Sequence, residues 1–524
     1  MKAQVLRYLR QKRVTATAQK RNTETMKLKI THVMVLTTAM VSGIILCKVL
    51  MPVINIETWE LQVATTIWWV AILILNKKEA TEAFKLATML FCATIGALLF
   101  LLRYDSVRHG VNLGNQHFVG IITDKPQRKA KTWAVKLKVE KGGMIIAYLA
   151  PDCEPQKGDS IEVFCPFSAE STCTKDNPDS TFADYHNYLF NSGISATAYS
   201  PTGQWRVISH HEPKGVFERL KAVQSEMVRH YAEAGFRGNE GAIITAMTTG
   251  DKSVLSEELR QQYSQAGVAH VLALSGFHLT IIYTIIELLI IGRMPRLRWR
   301  IWGRGVTLLA LCAFTIMAGS PPSLVRAFIM CAVMIVSSMI RHGNIPMNSL
   351  FLAISIMLAY NPMMLFDVGF QLSVMSMMGL TSVCDWMTKI INIRQWGIHR
   401  IWGLVSSTIV CTLFTLPLVT YYFGYIPLLS VLSNLVVPFL AIIMMYIAII
   451  WWILTPLPSV QDFVGDALTV TVRLMNQFTQ WISSMDWAIL PFRSTLFGAI
   501  LEYFLLAILL YLVTLIYRRA HPIL

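Results

Sequence analysis

A handful of polar side chains sit where the surrounding sequence is apolar enough to cross a bilayer, and they limit the chemistry open to this chain. The stretch GVAHVLALSGFHLTIIYTIIELLII (267–291) is long enough to span, yet its first half carries His270, Ser275 and His278. Polar groups in a membrane are costly, so they face a bundle interior, a partner or a water-filled cavity. On one helix Ser275 and His278 share a face, with His270 about a turn and a half earlier, and Gly276 would let another backbone approach closely. Two chemistries fit. The residues could line a polar path, or Ser275 and His278 could act as an intramembrane hydrolase, which needs nucleophile and base within hydrogen-bond reach. A dyad on a single helix is geometrically awkward, so path lining is preferred; plain hydrogen bonding between helices would use the same residues.

Arg326 follows Ser320, Pro321 and Pro322, so it falls near the start of a span. It can snorkel to water, or offer its planar fork to a phosphate. Asp367 and Gln371 fall four apart on one helical face, with Ser373 nearby. An intramembrane aspartate needs a partner, and Arg326 is the expected one. A carboxylate would repel phosphate, so its expected job is to hold the arginine or the backbone. Asn434 and Pro438 suggest a broken helix with freed carbonyls, which is tolerated where it is buried or lines a cavity. The 26 methionines read as core filler rather than a copper path. No metal or cofactor is expected, and with no P-loop any driving force must come from another protein.

These residues need a helical scaffold to hold them. The chain is 54% hydrophobic and 15% charged, a membrane-protein composition. Candidate spans are 30–51, 62–75, 86–102, 268–292, 305–319, 323–340, 348–360, 366–384, 401–422, 428–454 and 495–517. The first is full spanning length, so no cleavable signal peptide is expected. The net charge of +15 is concentrated in short segments. The tail before residue 30, the five-arginine loop 293–304 and the loop Lys389–Arg400 carry much of it, which places them and the N-terminus in the cytoplasm. Topology explains these charges better than nucleic-acid contact does. Residues 463–485 read as an amphipathic interfacial helix.

Residues 110–211 have a different texture. HFVGIITDKP, TWAVKLKVE, MIIAYLA, GDSIEVFC and QWRVIS read as short strands, with Gly142–Gly143 as a hairpin turn. Five strands in about a hundred residues suit a small Greek-key barrel of the OB type. A helical insert is expected around STFADYHNYLFNSG, ending at Gly193. Lys125, Arg128, Lys129 and Lys131 cluster around Trp133, a mix that could track phosphates and stack a base; a solvated strand face is the plain alternative. Cys153, Cys165 and Cys173 lie on the oxidising side, where any two could pair. Residues 212–266 read as amphipathic helices on the outer membrane surface.

Several blocks, in order, resemble one family. TTGDKSVLSEELRQQYSQAGVAHVLALSGFHL is similar to the signature region of the ComEC family of competence membrane proteins. AGSPPSLVRAFIM, AYNPMMLFDVGFQLSVMSMMGL and PLVTYYFGYIPLLSVLSNLVVPFL resemble its later blocks, and NPDSTFADYHNYLFNSGISATAY its N-terminal OB-type domain. The resemblance implies a polytopic α-helical membrane protein with an inserted extracytoplasmic small β-barrel (OB-type) domain. The expected divisions are a cytoplasmic tail (1–29), N-terminal helices (30–102), the OB-type domain (103–211), interfacial helices (212–266) and a competence-type transmembrane domain (267–524). It implies an inner-membrane channel through which single-stranded DNA enters the cytoplasm in natural transformation. The implied partners, besides membrane lipid, are a periplasmic DNA receptor and a cytoplasmic helicase-type ATPase. Many members also carry a metallo-β-lactamase-like domain. This sequence has no HxHxDH motif, so a separate nuclease is expected. Homo-oligomerisation is left open. The rival readings are a transporter of another anionic solute or polymer, and the serine hydrolase above.

Overall fold

The computed structural model describes residues 32–54, 57–77, 81–111, 117–124, 126–129, 131–139, 143–165, 167–168, 189–210, 215–272, 274–289, 297–339, 346–390, 395–485 and 487–520. Long apolar helices dominate it. Three come first: α1 (His32–Leu50), α2 (Thr58–Lys77) and α3 (Thr81–Arg108). Gly43 and Gly96 let α1 and α3 touch backbone to backbone: a Cβ on Gly43 would sit 2.0 Å from the Ala93 carbonyl oxygen. Among the described residues seven helices are long and apolar enough to cross a membrane, and three shorter apolar helices accompany them. Large apolar side chains such as Trp69, Leu309 and Phe504 stay exposed on these helices, as expected for groups that meet lipid.

The sheet domain follows α3. Its strands are β1 (Phe118–Ile122), β2 (Gln127–Arg128), β3 (Trp133–Val139), β4 (Met144–Leu149), β5 (Ser160–Val163), β6 (Phe167–Ser168), β7 (Ile194–Ser200) and β8 (Trp205–Ser209). The sheet order is β6-β7-β4-β3-β1-β5-β8, with β2 paired to β3. Among the described strands of this sheet, β4 and β7 alone pair parallel. The two end strands of this path, β6 and β8, each follow in sequence a strand at its opposite end, β5 and β7 respectively. Alternation does the folding: Val135, Leu137, Ile145, Ala147, Ile161 and Val163 point into one core, while Lys136 and Lys138 point out. Most of the expected helical insert, and Cys173, lie outside the described residues. Cys153 is exposed in a turn and Cys165 is buried in the core, and both are free thiols, so these two expected partners do not pair.

The second helical part contains α4 (Val216–Glu233), α5 (Gly238–Thr249), α6 (Glu257–Gln265) and the single turn α7 (Ala269–Leu272). It continues with α8 (Gly276–Leu289), α9 (Leu297–Met317), α10 (Pro322–Met339) and α11 (Pro346–Tyr360). Then come a 3-10 turn (Pro362–Phe366), α12 (Val368–Gly379), a π turn (Leu380–Cys384) and α13 (Asp385–Ile390). The last long helices are α14 (Trp396–Phe423), α15 (Ser430–Ile453), α16 (Pro458–Ser483) and α17 (Leu496–Ala520). Strands β9 (Tyr425–Pro427) and β10 (Ile489–Pro491) pair and tie the α14–α15 turn to the α16–α17 turn.

Four sequence expectations change here. The span 268–292 is two helices, α7 and α8, interrupted before Gly276. The span 366–384 begins two residues later, at Val368, with Asp367 as its cap after the 3-10 turn, and it passes through a π turn at Leu380–Cys384. The helix around Asn434 is unbroken, since α15 runs straight through Pro438; the proline removes one N–H without ending the helix. Residues 463–485 do not lie crosswise. Helix α16 runs back along α15, because Gly465, Leu468, Val472, Met475, Thr479 and Ile482 recur every three or four residues and all face the core.

Candidate functional site

Three helix starts are joined through α10, which carries Arg326. The first is that of α8. Ser275 precedes it, and its backbone N–H donates to His278 Nδ1 at 3.2 Å. This is the reciprocal half of a capping box, in which the third helical residue covers the cap's own N–H. His278 therefore does not share a mid-helix face with Ser275. Its ring is fully buried, and Nε2 has no hydrogen-bond partner among the described residues. Ser275 Oγ has no contact with either ring nitrogen that would make a dyad, and Nδ1 is already occupied by the backbone, which weakens the hydrolase reading.

The second start is that of α10. Gly319 (φ +82°) and Ser320 (φ +54°) both turn through the left-handed region just before it. Ser323 Oγ donates to the Leu274 carbonyl at 2.8 Å, fastening the first turn of α10 to the break before α8. A Cβ on Gly276 would sit 3.2 Å from Ala327 Cβ, so α10 comes close here through a small side chain and not, as expected, through its backbone. Gly250 completes the junction. It ends α5 with φ +84°, and a Cβ there would meet Leu274 Cδ1 at 2.6 Å and the Ala318 oxygen at 3.0 Å.

The third start is that of α12. Asp367 caps it by accepting the Phe370 N–H at 2.7 Å, and the same oxygen lies 3.3 Å from Arg326 Nη1. Arg326 Nε donates to Ser373 Oγ at 3.3 Å. Gly369 leaves the pair its room: a Cβ there would sit 3.0 Å from Arg326 Nη2 and 3.2 Å from Asp367 Oδ1, so both side chains would have to give by a few tenths of an ångström. The arginine is 5% exposed. It is thus a buried cation held, among the described residues, at the start of α12 by Asp367 and Ser373, and it sits on α10, whose first turns also pack against the start of α8. Gln371 extends the group: its amide donates to the Leu365 carbonyl at 2.9 Å, and Tyr422 Oη donates to Gln371 Oε1 at 3.0 Å.

The structure thus brings Ser275, Gly276, His278, Arg326, Asp367 and Gln371 to one region. His270 is apart, exposed on α7, and Asn434 is half-buried on the separate helix α15. Ser323, Gly369 and Tyr422 belong to the group but were not foreseen. Each lay inside a block singled out above, yet nothing in a linear pattern tells that Tyr422 reaches Gln371.

In the sheet domain the β2–β3 hairpin presents the basic residues. Arg128 pairs with Trp133 across the ladder and holds its guanidinium 5.8 Å from the indole. Lys129 lies 5.1 Å from the Tyr148 ring, and Lys131 is exposed at the hairpin tip. Lys125 lies outside the described residues. Elsewhere on the domain Glu162 accepts from Arg206 Nε at 2.5 Å and contacts His117 Nε2 at 2.6 Å. The Arg206 hydrogen bond, and then that of His117, hold the Glu162 carboxyl below the usual carboxylate range.

Apolar helices of spanning length, with a buried ion pair between α10 and α12, define a multi-pass helical membrane protein. The family model described as Competence protein matches residues 247–516, more than half of the chain, and the chain belongs to that family. It is similar to ComE operon protein 3 of Bacillus subtilis (strain 168), with 24% identity over 317 residues. That match covers 59% of this chain and 37% of the relative, so the chain spans little more than a third of that relative's length. No solved structure matches.

Proposed function

We propose that this protein is the inner-membrane conduit by which single-stranded DNA enters the cytoplasm during natural transformation. The observation that carries the reading is Arg326: a buried guanidinium held at the start of α12, in a chain of the competence family. Helix N-termini favour anions, and interrupted helices meeting inside a membrane are a recurring way to build a charged-solute site. In the resting state Asp367 takes the place a phosphate oxygen would hold.

On this reading the sheet domain is an OB-type barrel on the extracytoplasmic side. Its strand connectivity, with one parallel pair among antiparallel neighbours, supports that. The Arg128–Trp133 hairpin would receive the strand before it reaches the membrane. The N-terminus is cytoplasmic, as the basic tail and loops favour. The proposed divisions are those drawn above, with residues 212–266 revised below. A periplasmic DNA receptor delivers the substrate, a helicase-type ATPase supplies the driving force, and a separate nuclease removes the other strand.

The test is uptake of labelled DNA into cells carrying a clean deletion, complemented with the wild-type chain or with Arg326→Ala. Loss of cytoplasmic DNA on deletion, with DNA still accumulating outside the membrane, is the expected outcome. Failure of Arg326→Ala to rescue at normal protein levels would locate the path. Unchanged transformation after deletion would sink the reading and favour transport of another anionic solute.

A further inference from the structure

We propose that α4 and α5 form a re-entrant hairpin crossing the membrane core, and that the polar half of α4 borders a water-filled passage. Helix α15 is the ruler. Ser430 begins it and Trp451 lies in its last turn, and at 1.5 Å per residue they lie about 30 Å apart, the thickness of a hydrocarbon core. At the C-terminal end of α15, Tyr231 of α4 stacks on Trp451 at 5.2 Å and accepts a hydrogen bond from Trp452 Nε1 at 2.7 Å. Phe236, just before α5, meets the edge of Trp451 at 5.3 Å. At the N-terminal end of α15, Gly267 packs against Pro427 and Ser430, and Ser264 Oγ shares a hydrogen bond with Tyr425 Oη at 3.1 Å. The chain from 231 to 267 therefore climbs the whole length of a membrane-spanning helix.

What lies between is built for that depth. From Gly241 to Thr249 helix α5 is buried on all sides, and Ile243, Ile244 and Met247 share one core with Val437, Ala441 and Met444 of α15. Helix α4 returns beside it: Gln224 Nε2 donates to the Thr249 carbonyl at 2.8 Å. The tip turns through Gly235 (φ +87°) and Gly238 (φ +67°).

The outer half of α4 decides what surrounds it. Arg219, Ser225, Glu226, Arg229 and Glu233 are exposed there, with Arg229 bonded to Glu226 and 3.5 Å from Glu233. The outward face of α16 instead carries an apolar stripe, Phe463, Val470, Leu474 and Trp481, beside a polar edge of Asp462, Asp466, Arg473, Gln477 and Gln480. Lipid solvates that apolar stripe and not the outer half of α4. An irregular tip at membrane depth is tolerated only when buried in protein or facing water, and Ala234 at this tip is exposed. This replaces the expectation of helices lying on the membrane surface. It rests on α15 spanning the membrane and stands whatever solute uses the passage.

Site-directed thiol labelling of the full chain in a Cys153→Ser background tests it. Thr202→Cys marks the side of the sheet domain and Ile453→Cys the far end of α15. A small hydrophilic maleimide should label Ser225→Cys. A bulky impermeant maleimide should label Ala234→Cys only from the side that labels Ile453→Cys, opposite to Thr202→Cys. The proposal is overturned if Ala234→Cys labels from the Thr202→Cys side or from neither side. It is also overturned if Ile453→Cys labels from the same side as Thr202→Cys, or if Ser225→Cys reacts only with an apolar maleimide. DNA uptake by the unlabelled variants reports separately on the conduit reading.

Discussion

Arg326 Nη1 lies 3.3 Å from Asp367 Oδ1, and that same oxygen accepts the Phe370 N–H. One carboxylate oxygen thus neutralises a buried guanidinium on α10 and starts helix α12. Charge pairing and helix geometry are coupled here, so separating them requires substitutions that remove one and keep the other.

Asp367→Asn keeps an oxygen for the cap but leaves Arg326 buried and unpaired. Breaking a buried pair from one side costs about 3–5 kcal/mol, so thermal unfolding in detergent should shift strongly downward. Arg326→Met combined with Asp367→Asn should recover most of that stability. DNA uptake should stay lost, because the anion-binding fork is gone. Uptake restored along with stability would reduce the pair to a structural role.

Ser275→Ala should leave folding and uptake near wild type, since the N–H bonded to His278 Nδ1 belongs to the backbone. His278→Ala removes that acceptor from a buried helix start and should lower thermal stability by about 1–3 kcal/mol. A proteolytic activity abolished by Ser275→Ala would reverse the assignment.

Glu162 gives the sheet domain an acid-sensitive tie. Its carboxyl is held below the usual range, first by Arg206 and then by His117. A carboxylate with a lower pKa folded than unfolded contributes stability at neutral pH, and that contribution is lost as pH falls through the folded value. The melting temperature of the sheet domain in the full chain should therefore drop on acidification below the ordinary carboxylate range. Glu162→Gln should flatten that part of the profile.

If the β2–β3 hairpin receives DNA, replacing Arg128, Lys129 and Lys131 by alanine should weaken single-strand binding to the reconstituted chain. The log–log salt slope should fall by about 0.7 for each phosphate that is no longer neutralised. Trp133→Ala should cost about 1–3 kcal/mol if a base stacks there. Salt-independent binding, unchanged by these variants, would leave the hairpin a solvated edge.

Gly43→Ala should be poorly tolerated, since its Cβ would meet the Ala93 backbone at 2.0 Å. A backbone neighbour cannot swing aside, so the loss should reach or exceed the ~1–3 kcal/mol typical of overpacking. Gly305→Ala, with nothing within 4 Å of the new Cβ, should be neutral or mildly stabilising, as a helix favours alanine by about 1 kcal/mol. Yield of folded protein and melting temperature measure both.

Read alone, the sequence determined the apolar helices, the strand-rich segment after α3 and the pairing of Arg326 with Asp367. Each follows from a local rule: apolar length, two-residue alternation, and the cost of leaving an intramembrane carboxylate without a partner. The helix break before Gly276 was not legible. LALSGFHL is as apolar as the span around it, and a helix stops there only because Ser275 finds a cap partner and because α10 packs against the gap. The depth of α5 was hidden for a related reason. A short helix of Gly, Ala, Ile and Thr fits a surface or a core equally well by pattern, and only the walls supplied by α15 and α16 bury it. Local periodicity says which face of a helix is apolar. Only contacts between residues hundreds of positions apart, such as Tyr231 with Trp452, decide what that face meets.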